Sequence, residues 1–598
     1  MENELFEYKQ KICLLHQKEK DLRDLYLRKL AKGEIKGPVT GIPSLDKPWL
    51  KYYEEEQILS PLPNMTAYEY LRILNSNNLN LIALEDPMLG IQLTYKDLFK
   101  KINLITKSLS ALNVKPREVV SIILPPCLEE VYLFYAIDQI GACTNFIFPG
   151  TPIDEVENNM KELNSKKLIA FDDLLSQPNT LIENEDIKIV STSFTKKYKN
   201  KYKNVLVWED FEKSGQSLNM SLYVRNHEEP LYIAKTGGST GKPKKVILTD
   251  KSFNLQVHQH LNSPINYCSG DRWVRVWPMF SASSAVASVH LPLCYGMTQI
   301  IEHNVDIDKL DELILNYKPS HMVMISSCIE SLLKSELIKG KDLSFIKTLG
   351  IGGESVTAEL EEKANQFMIE HNITSSMTYG YGMTENGSGA TSRFNKETGS
   401  IGSVGVPQVN TILGIFDTET GEELTYNKEG EICILSNTFM LGYYNEPNLT
   451  KSVLKKHSDG LTWLHSGDLG YLNENGQLFV KGRIKRMIML FSGDKVYPQD
   501  IEELLESLDI IDRAIVIPEP DTIHENSVVP CAFITVNQNI SFEELEYKIK
   551  KVLKENTENF VKINNIYIKD TLPKTSIGKI DLKGLEEEAA KLSLKNKR

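Results

Sequence analysis

The chain runs to 598 residues, 41% hydrophobic and 25% charged. That length exceeds what one hydrophobic core organises, so about two or three domains of soluble globular composition are expected, not a disordered or fibrous chain. A formal net charge of −12 argues against nucleic acid as a main partner, because phosphate backbones require a basic face; small anions can still bind locally. No stretch of about 18 uncharged apolar residues occurs. The amino terminus, MENELFEYKQK, is charged from its second residue. No integral membrane segment or secretory leader is therefore expected, and the reading is a cytoplasmic protein. The eight cysteines (Cys13, Cys127, Cys143, Cys268, Cys294, Cys328, Cys433, Cys531) form no CxxC pair and mostly sit in apolar runs, the pattern of reduced, buried thiols.

Residues 1 to 32 place Leu22, Leu25 and Tyr26 at helical spacing without Pro or Gly, which predicts a helical extension packed on its own domain. The segment Gly37 to Tyr53 is punctuated by Pro and Gly and then aromatic, the texture of an ordered linker. From residue 66 onward, helices alternate with short apolar strands. Thr94 to Leu112 reads as helix, Val119 to Leu124 as strand and Leu128 to Ile140 as helix, so the fold class expected is α/β with mainly parallel sheets. Leu231 to Ala234 and Val246 to Leu248 read as strands flanking TGGSTGKPKKV. That loop holds Gly237, Gly238 and Gly241, the hydroxyls of Thr236, Ser239 and Thr240, and Lys242, Lys244 and Lys245. Glycines let backbone N–H groups converge on an anion, hydroxyls donate short bonds and ammonium groups offset charge, a combination that suits a polyphosphate. It opens no helix, and Pro243 stands where a Walker loop has its magnesium-binding hydroxyl, so it is neither that loop nor a GxGxxG turn. On composition alone, a solvated turn and a nucleotide-phosphate loop both stand. Beyond Arg483 the texture changes. A helix from near Gln499, strands at Ala514 to Ile517 and Cys531 to Val536, a charged helix from Phe542 to Glu555 and a tail from Leu582 to Arg598 predict a small α+β domain. The division expected is 1–65 extension and linker, 66–484 large domain, 485–598 small domain.

Further motifs carry chemistry. In YGYGMTENG, Tyr379 to Gly387, the Tyr381 ring suits stacking on a purine and Glu385 suits a divalent cation. Asp468 in HSGDLGY and Arg483 in KGRIKRM supply an acceptor and a fork of donors for the two hydroxyls of a ribose, although Gly-Asp turns are mostly structural. LPKTSIGKID, Leu572 to Asp581, places Lys579 behind Gly578. In order, TGGSTGKPKKV, GGESV (Gly352 to Val356), YGMTE, GEICI with GYYNEP (Gly430 to Ile434, Gly442 to Pro447), SGDLGY, GRIK and PKTSIGK resemble the adenylate-forming superfamily. That superfamily comprises acyl-CoA synthetases, nonribosomal-peptide adenylation domains and luciferases, and the chain is closest in kind to an AMP-forming acyl-CoA synthetase. The likeness spans residues 66 to 585.

The resemblance implies ATP, Mg²⁺ and coenzyme A, or a carrier protein's phosphopantetheine, as cofactors and partners. It implies that Thr236, Ser239, Thr240 and Lys244, with Gly237, Gly238 and Gly241, cradle the ATP phosphates. Gly352, Gly353, Glu354 and Tyr381, with Gly382 and Met383, would wall the adenine. Thr384 would touch the α-phosphate, Glu385 would bind Mg²⁺, Asp468 and Arg483 would fix the ribose, Lys485 would be the hinge and Lys579 would bridge carboxylate and α-phosphate. The substrate pocket it implies contains Phe280, Ser281, Ser284, Ser327 and Gly382. Amino-acid-activating relatives carry aspartate where Ser281 stands. An α-ammonium there would go unpaired at the cost of its desolvation, so the expected substrate is an acid lacking an α-amino group. Small residues from Ala282 to Ser288 and at Ser326, Ser327 and Cys328 leave room for a fatty or aryl tail, or simply pack helices closely. Fatty acid metabolism is one expected setting. The chain departs from the family in one apparent extra residue between Arg483 and Pro498, in Arg486 where acidic residues are common, and in Met489 where several relatives place a lysine used in thioester formation. The expected activity is acid–thiol ligation, with a carrier-loading adenylation enzyme as the alternative and an inactive nucleotide-binding scaffold as the least favoured reading.

Overall fold

The first long helix shows how local sequence becomes structure. The Thr94 hydroxyl accepts the Asp97 N–H at 3.2 Å, capping the helix Tyr95–Ala111, while Leu98, Phe99, Ile102, Ile105 and Leu109 recur on one face and are buried. The helix Leu128–Ile140 is buried on every side, as a helix held between layers must be. Both match the predicted elements to within a residue or two. The computed structural model describes residues 40–595 apart from 176–179, 195–201, 217, 219–222, 224, 237–243, 304–305, 354–355, 376, 493, 525–526, 539, 557–561 and 575–579. The predicted helical extension over residues 1 to 32 lies outside the described residues.

Two large sheets dominate. One runs Gly442–Tyr443, Lys245–Thr249, Pro230–Lys235, Cys143–Phe146, Val119–Ile123, Lys167–Phe171, Lys188–Thr192 and Val205–Val207. Only its first two junctions are antiparallel. The other runs Thr378–Tyr379, Thr348–Ile351, His321–Met324, Arg272–Arg275, Thr298–Ile301, Ile82–Asp86 and Ile91–Thr94, parallel except at its last pair. A five-stranded antiparallel sheet follows, built on Ile412–Phe416, Gly430–Leu435 and Thr462–Leu472, with Leu454–Lys456 and Leu478–Arg483 both paired to the last of these. The fold is therefore mixed α/β with mostly parallel sheets in a large amino-terminal part. A smaller carboxyl-terminal part is built on the sheet Ile511–Pro520, Val528–Val536 and Ile566–Ile568, with helices Pro498–Glu506, Phe542–Asn556 and Leu582–Lys595.

Residues 40 to 58 pack directly on the large part. Trp49, Tyr53 and Ile58 are buried in the same apolar cluster as Val274, Met322 and Ile432, and the Tyr53 hydroxyl donates to the Pro407 carbonyl at 2.9 Å. Of the cysteines, six of the described seven are buried, but Cys268 is exposed, because it lies in the polar turn before Arg272 and not in an apolar run. Among the described residues no helix is long and apolar enough to cross a membrane.

Inside the large part, Arg225 serves two buried carboxylates. Its Nε lies 2.8 Å from Asp250 Oδ2 and 3.7 Å from Asp138 Oδ1, with all three side chains 1% exposed or less. Asp250 accepts the Ala67 N–H and Asp138 the Tyr68 N–H, each at 2.8 Å, so the trio also holds the first turn of the helix Ala67–Leu74.

In the small part, burial pushes the Glu506 carboxyl up to about 7, with the charges of Glu502 and Glu330 adding to the shift and the Ala514 N–H and Arg513 opposing it. The folded value exceeds the ordinary 4.5, so the native state holds a proton that the unfolded chain has released. Glu506 thus favours folding at acid pH, and that contribution is lost as pH rises through about 7. Glu506→Gln is expected to flatten the fall in unfolding midpoint between about pH 5 and pH 8 and to stabilise the small part at the upper end, read by thermal or urea unfolding at both values.

Candidate active site

The predicted site segments leave the carboxyl ends of one parallel sheet, where ligands of open α/β sheets bind. Phe280 and Ser281 follow the Arg272–Arg275 strand, Ser327 follows His321–Met324, Gly352 and Gly353 follow Thr348–Ile351, and Tyr381 follows Thr378–Tyr379. The Tyr379 hydroxyl accepts the Val356 N–H at 2.9 Å, tying the GGESV segment to the YGYGMTE segment. Glu354 lies outside the described residues. Gly353 has φ +86, a conformation that glycine adopts without strain.

Gly382 and Met383 pair with Gly389 and Ser388 in a tight hairpin that presents Thr384 and Glu385. A Cβ on Gly382 would lie 1.9 Å from the Ser388 carbonyl oxygen, so this glycine is demanded by the backbone. Gly382→Ala is expected to open the hairpin and lower turnover by about 10²-fold, the scale of an ångström misplacement of catalytic groups. Steady-state kinetics beside an unfolding curve would separate this from global destabilisation. Gln256, 1% exposed on the helix Asp250–Leu261, clamps the same hairpin. Its amide donates to the Asn386 and Gly389 carbonyls at 2.9 and 2.8 Å and accepts the Gly389 N–H at 3.0 Å. Sequence reasoning missed Gln256; the available signal was a polar residue at core spacing between Phe253 and Val257.

The other large sheet, through Pro230–Lys235 and Lys245–Thr249, brings the two ends of the phosphate-loop motif to this hairpin. Thr236 and Lys244 close the base of the loop, the Thr236 N–H donating to the Lys244 carbonyl at 2.9 Å and the Lys244 N–H to Thr236 Oγ1 at 3.1 Å. Gly237, Gly238, Ser239, Thr240 and Gly241 lie outside the described residues. The Lys244 ammonium sits 4.8 Å from the centre of the Tyr443 ring, a cation–π distance, and the Tyr443 hydroxyl donates to Glu385 Oε1 at 2.7 Å. Tyr443 was also missed, although it stands in the GYYNEP motif. Glu385 is 8% exposed, and among the described residues only Tyr443 bonds its carboxylate. A buried carboxylate with accepting capacity to spare beside a phosphate-type loop fits a hard divalent cation such as Mg²⁺.

Asp468 reaches the cleft through a bulge. Opposite Glu431 and Cys433 the long strand Thr462–Leu472 carries extra residues, so its Ser466-Gly467-Asp468 segment loops out, a device that re-aims side chains at functional sites. The bulge is held by Ser466 Oγ donating to the Ile432 carbonyl at 2.6 Å and by the Gly467 N–H donating to Glu431 Oε1 at 3.0 Å. Asp468 Oδ2 accepts the Tyr381 hydroxyl at 2.6 Å, and Oδ1 lies 2.8 Å from Arg483 Nε. Burial raises the Asp468 carboxyl against the pull of Arg483, and the charge of Glu385 adds to the rise. Burial and the Asp468 charge hold the Tyr381 phenol well above its ordinary value. Tyr381, Glu385, Tyr443, Asp468 and Arg483 thus share one electrostatic environment.

Ser281 caps a short helical turn, accepting the Ser284 N–H at 3.2 Å, and Phe280 packs edge-on against Phe148 at 5.1 Å. No acidic residue occurs between Met279 and Cys294. The buried Arg275 beneath this segment is paired with Glu130, which also accepts the Met279 N–H at 3.2 Å, and burial holds His290 neutral, with its pKa lowered to about 3. No carboxylate in the segment is thus available to an ammonium group. Lys485 is exposed in the turn Ile484–Arg486. Arg486 pins the far side of that turn to the small part through Glu502 at 2.5 Å and the Val516 carbonyl at 3.1 Å, which accounts for a basic residue at that position. Met489 is 44% exposed. Lys579 lies outside the described residues.

This architecture is that of an AMP-forming ligase. The AMP-binding enzyme family model matches residues 75–444 and the AMP-binding enzyme C-terminal domain model residues 500–579; the chain belongs to the AMP-binding enzyme family. It is similar to 4-coumarate--CoA ligase of Pinus taeda, 27% identical over 508 residues that cover 82% of this chain and 90% of that protein. To 4-coumarate--CoA ligase of Vanilla planifolia it is 28% identical over 508 residues, 84% of this chain and 89% of that one. Among solved structures it shares the fold of the anthranilate CoA ligase AuaEII in complex with anthranoyl-AMP, with TM-score 0.77 and 20% identity over 89% of this chain and 99% of that one. It also shares the fold of the Bacillus subtilis O-succinylbenzoate Coenzyme A Synthetase in complex with ATP and magnesium ion, with TM-score 0.72 and 21% identity over 88% of this chain and all of that one.

Proposed function

We propose that this chain is an AMP-forming acid–thiol ligase. It activates a carboxylic acid with ATP to an acyl-adenylate, releasing pyrophosphate, and transfers the acyl group to the thiol of coenzyme A. The observation that carries this reading is the convergence of Asp468, Arg483 and Tyr381 with Glu385, Tyr443 and Lys244 at the base of the phosphate-type loop. In this reading Asp468 accepts the ribose hydroxyls, with Arg483 fixing its orientation. Thr236 and Lys244, with Ser239 and Thr240, hold the phosphates, and Gly352, Gly353, Glu354, Tyr381 and Met383 border the base. Bringing a carboxylate onto the α-phosphorus joins an anion to a polyanion, so the barrier falls only where positive charge and donors are already placed. Lys579 and Thr384 supply them at the α-phosphate. Glu385 would hold a magnesium ion, which supplies neutralising charge to the departing phosphates when bound.

The substrate class is an aryl acid without an α-amino group. Supporting it are the Ser281 cap, the absence of acidic residues from Phe280 to Leu293, and relatives named for coumarate, anthranilate and o-succinylbenzoate. A domain swing about Lys485 separates the two half-reactions. The Arg513–Glu330 ion pair between the two parts is about a third exposed on each side, and such pairs contribute at most about 1 kcal/mol, so it does not lock them together. Incubation with ATP, magnesium, coenzyme A and a panel of aryl, fatty and amino acids is expected to release AMP and form acyl-CoA with aryl acids. Pyrophosphate release that stalls without AMP until a carrier protein is added would overturn coenzyme A as the acceptor, and no pyrophosphate exchange with any acid would overturn the ligase itself.

A further inference from the structure

Behind the bulge that carries Asp468, three side chains of different donor type meet on one face of the antiparallel sheet. Glu431 and Cys433 stand two apart on Gly430–Leu435 and so point to the same side, and His465 is directly opposite Cys433 on Thr462–Leu472. The Cys433 Sγ lies 3.5 Å from His465 Nδ1, which lies 2.8 Å from Glu431 Oε2. One donor atom from each of the three falls within 4.8 Å of the others. Tetrahedral zinc with Zn–S near 2.3 Å and Zn–N near 2.0 Å separates its sulfur and nitrogen ligands by about 3.5 Å, so that edge already has the required length. The His465 Nε2 faces His457 Nε2 at 2.8 Å, the outer hydrogen bond that orients a metal-ligating histidine. Phe416 and Trp463 pack on the His457 ring at 4.6 and 5.7 Å, lowering the local dielectric.

We propose that Cys433, His465 and Glu431 form a binding site for a zinc-type divalent transition metal, separate from the magnesium expected at Glu385. A sulfur, a nitrogen and an oxygen donor select a borderline-soft ion over magnesium or calcium, which require oxygen sets. Coordination converts the Cys433 thiol to a thiolate and releases its proton to solvent; the ring proton that His465 Nδ1 gives Glu431 Oε2 in the metal-free pair is carried instead on Nε2, which donates to His457 in its Nδ1–H tautomer, and the ion takes the freed Nδ1 lone pair and Glu431 Oε2. Glu431 Oε1 keeps the Gly467 N–H, so the ion would brace the bulge from behind. Water takes the remaining position.

The test is a titration of the full chain with Co²⁺ as a spectroscopic stand-in, without nucleotide, followed by displacement with Zn²⁺. The expected result is one equivalent bound, with a sulfur-to-cobalt charge-transfer band and tetrahedral visible absorption. The band should be lost in Cys433→Ser and kept in Cys268→Ser, which removes the exposed thiol. Should Cys433→Ser fail to fold, His457→Ala is the second comparison, expected to weaken cobalt binding about 10- to 100-fold as outer-shell substitutions do. No charge-transfer band at stoichiometric cobalt, a band that persists in Cys433→Ser, or unchanged affinity in His457→Ala would each overturn the site.

Discussion

Lys579→Ala is expected to slow acyl-adenylate formation by about 10²- to 10³-fold, the effect of removing one preorganised donor from a developing charge, while transfer from preformed acyl-adenylate to thiol continues at nearly the parent rate. Two anions approach each other only in the first half-reaction. In the second, the carboxyl carbon is already bonded to a leaving group, and the proposed turn of the small part about Lys485 takes the lysine away. The residues flanking the lysine's segment, Lys574 and Ile580, pair across an antiparallel bridge, so the substitution leaves their backbone pairing intact. Isotope exchange of pyrophosphate into ATP reads the first step, and a single-turnover thioester assay with supplied adenylate reads the second. Equal losses in both would contradict the division of labour between the two domain arrangements.

Arg225→Met is expected to destabilise the large part by about 3–5 kcal/mol, the range found when one partner of a buried ion pair is removed. Asp138 and Asp250 are fully buried, burial raises the carboxyl of each even with Arg225 present, and the Asp138 charge raises Asp250 further. Without the guanidinium both folded values rise further. The native state then holds protons that the unfolded chain releases near pH 4, so stability falls as pH rises and the loss is larger at about pH 8 than at about pH 6. The same change frees the first turn of the helix Ala67–Leu74, whose N–H groups those carboxylates accept. Urea unfolding at both pH values, with Arg225→Met/Asp250→Asn as partial rescue, checks it. A loss below about 1 kcal/mol, no more than an ordinary substitution produces, would show that the two carboxylates do not need their cation.

The amino-acid order by itself determined the types of the elements, since a 3.6-residue apolar period over Tyr95–Ala111 and short apolar runs such as Val119–Ile123 permit little else. It also determined the family, because seven motifs in a set order carry local chemistry that reads without knowledge of neighbours. Only the tertiary structure decided which of those motifs face one another. The loop base at Thr236 and Lys244 belongs to one sheet and the Thr384–Glu385 hairpin to the end of another, and Tyr443, 58 residues beyond Glu385 and farther still from Lys244, joins them. The register that sets Cys433 opposite His465, the bulge that turns Asp468 inward and the Gln256 clamp behind the hairpin were equally invisible. Periodicity records which face of an element is buried, whereas strand register and cross-element hydrogen bonds depend on which surfaces meet once loops have closed, and no spacing along the chain encodes that distance.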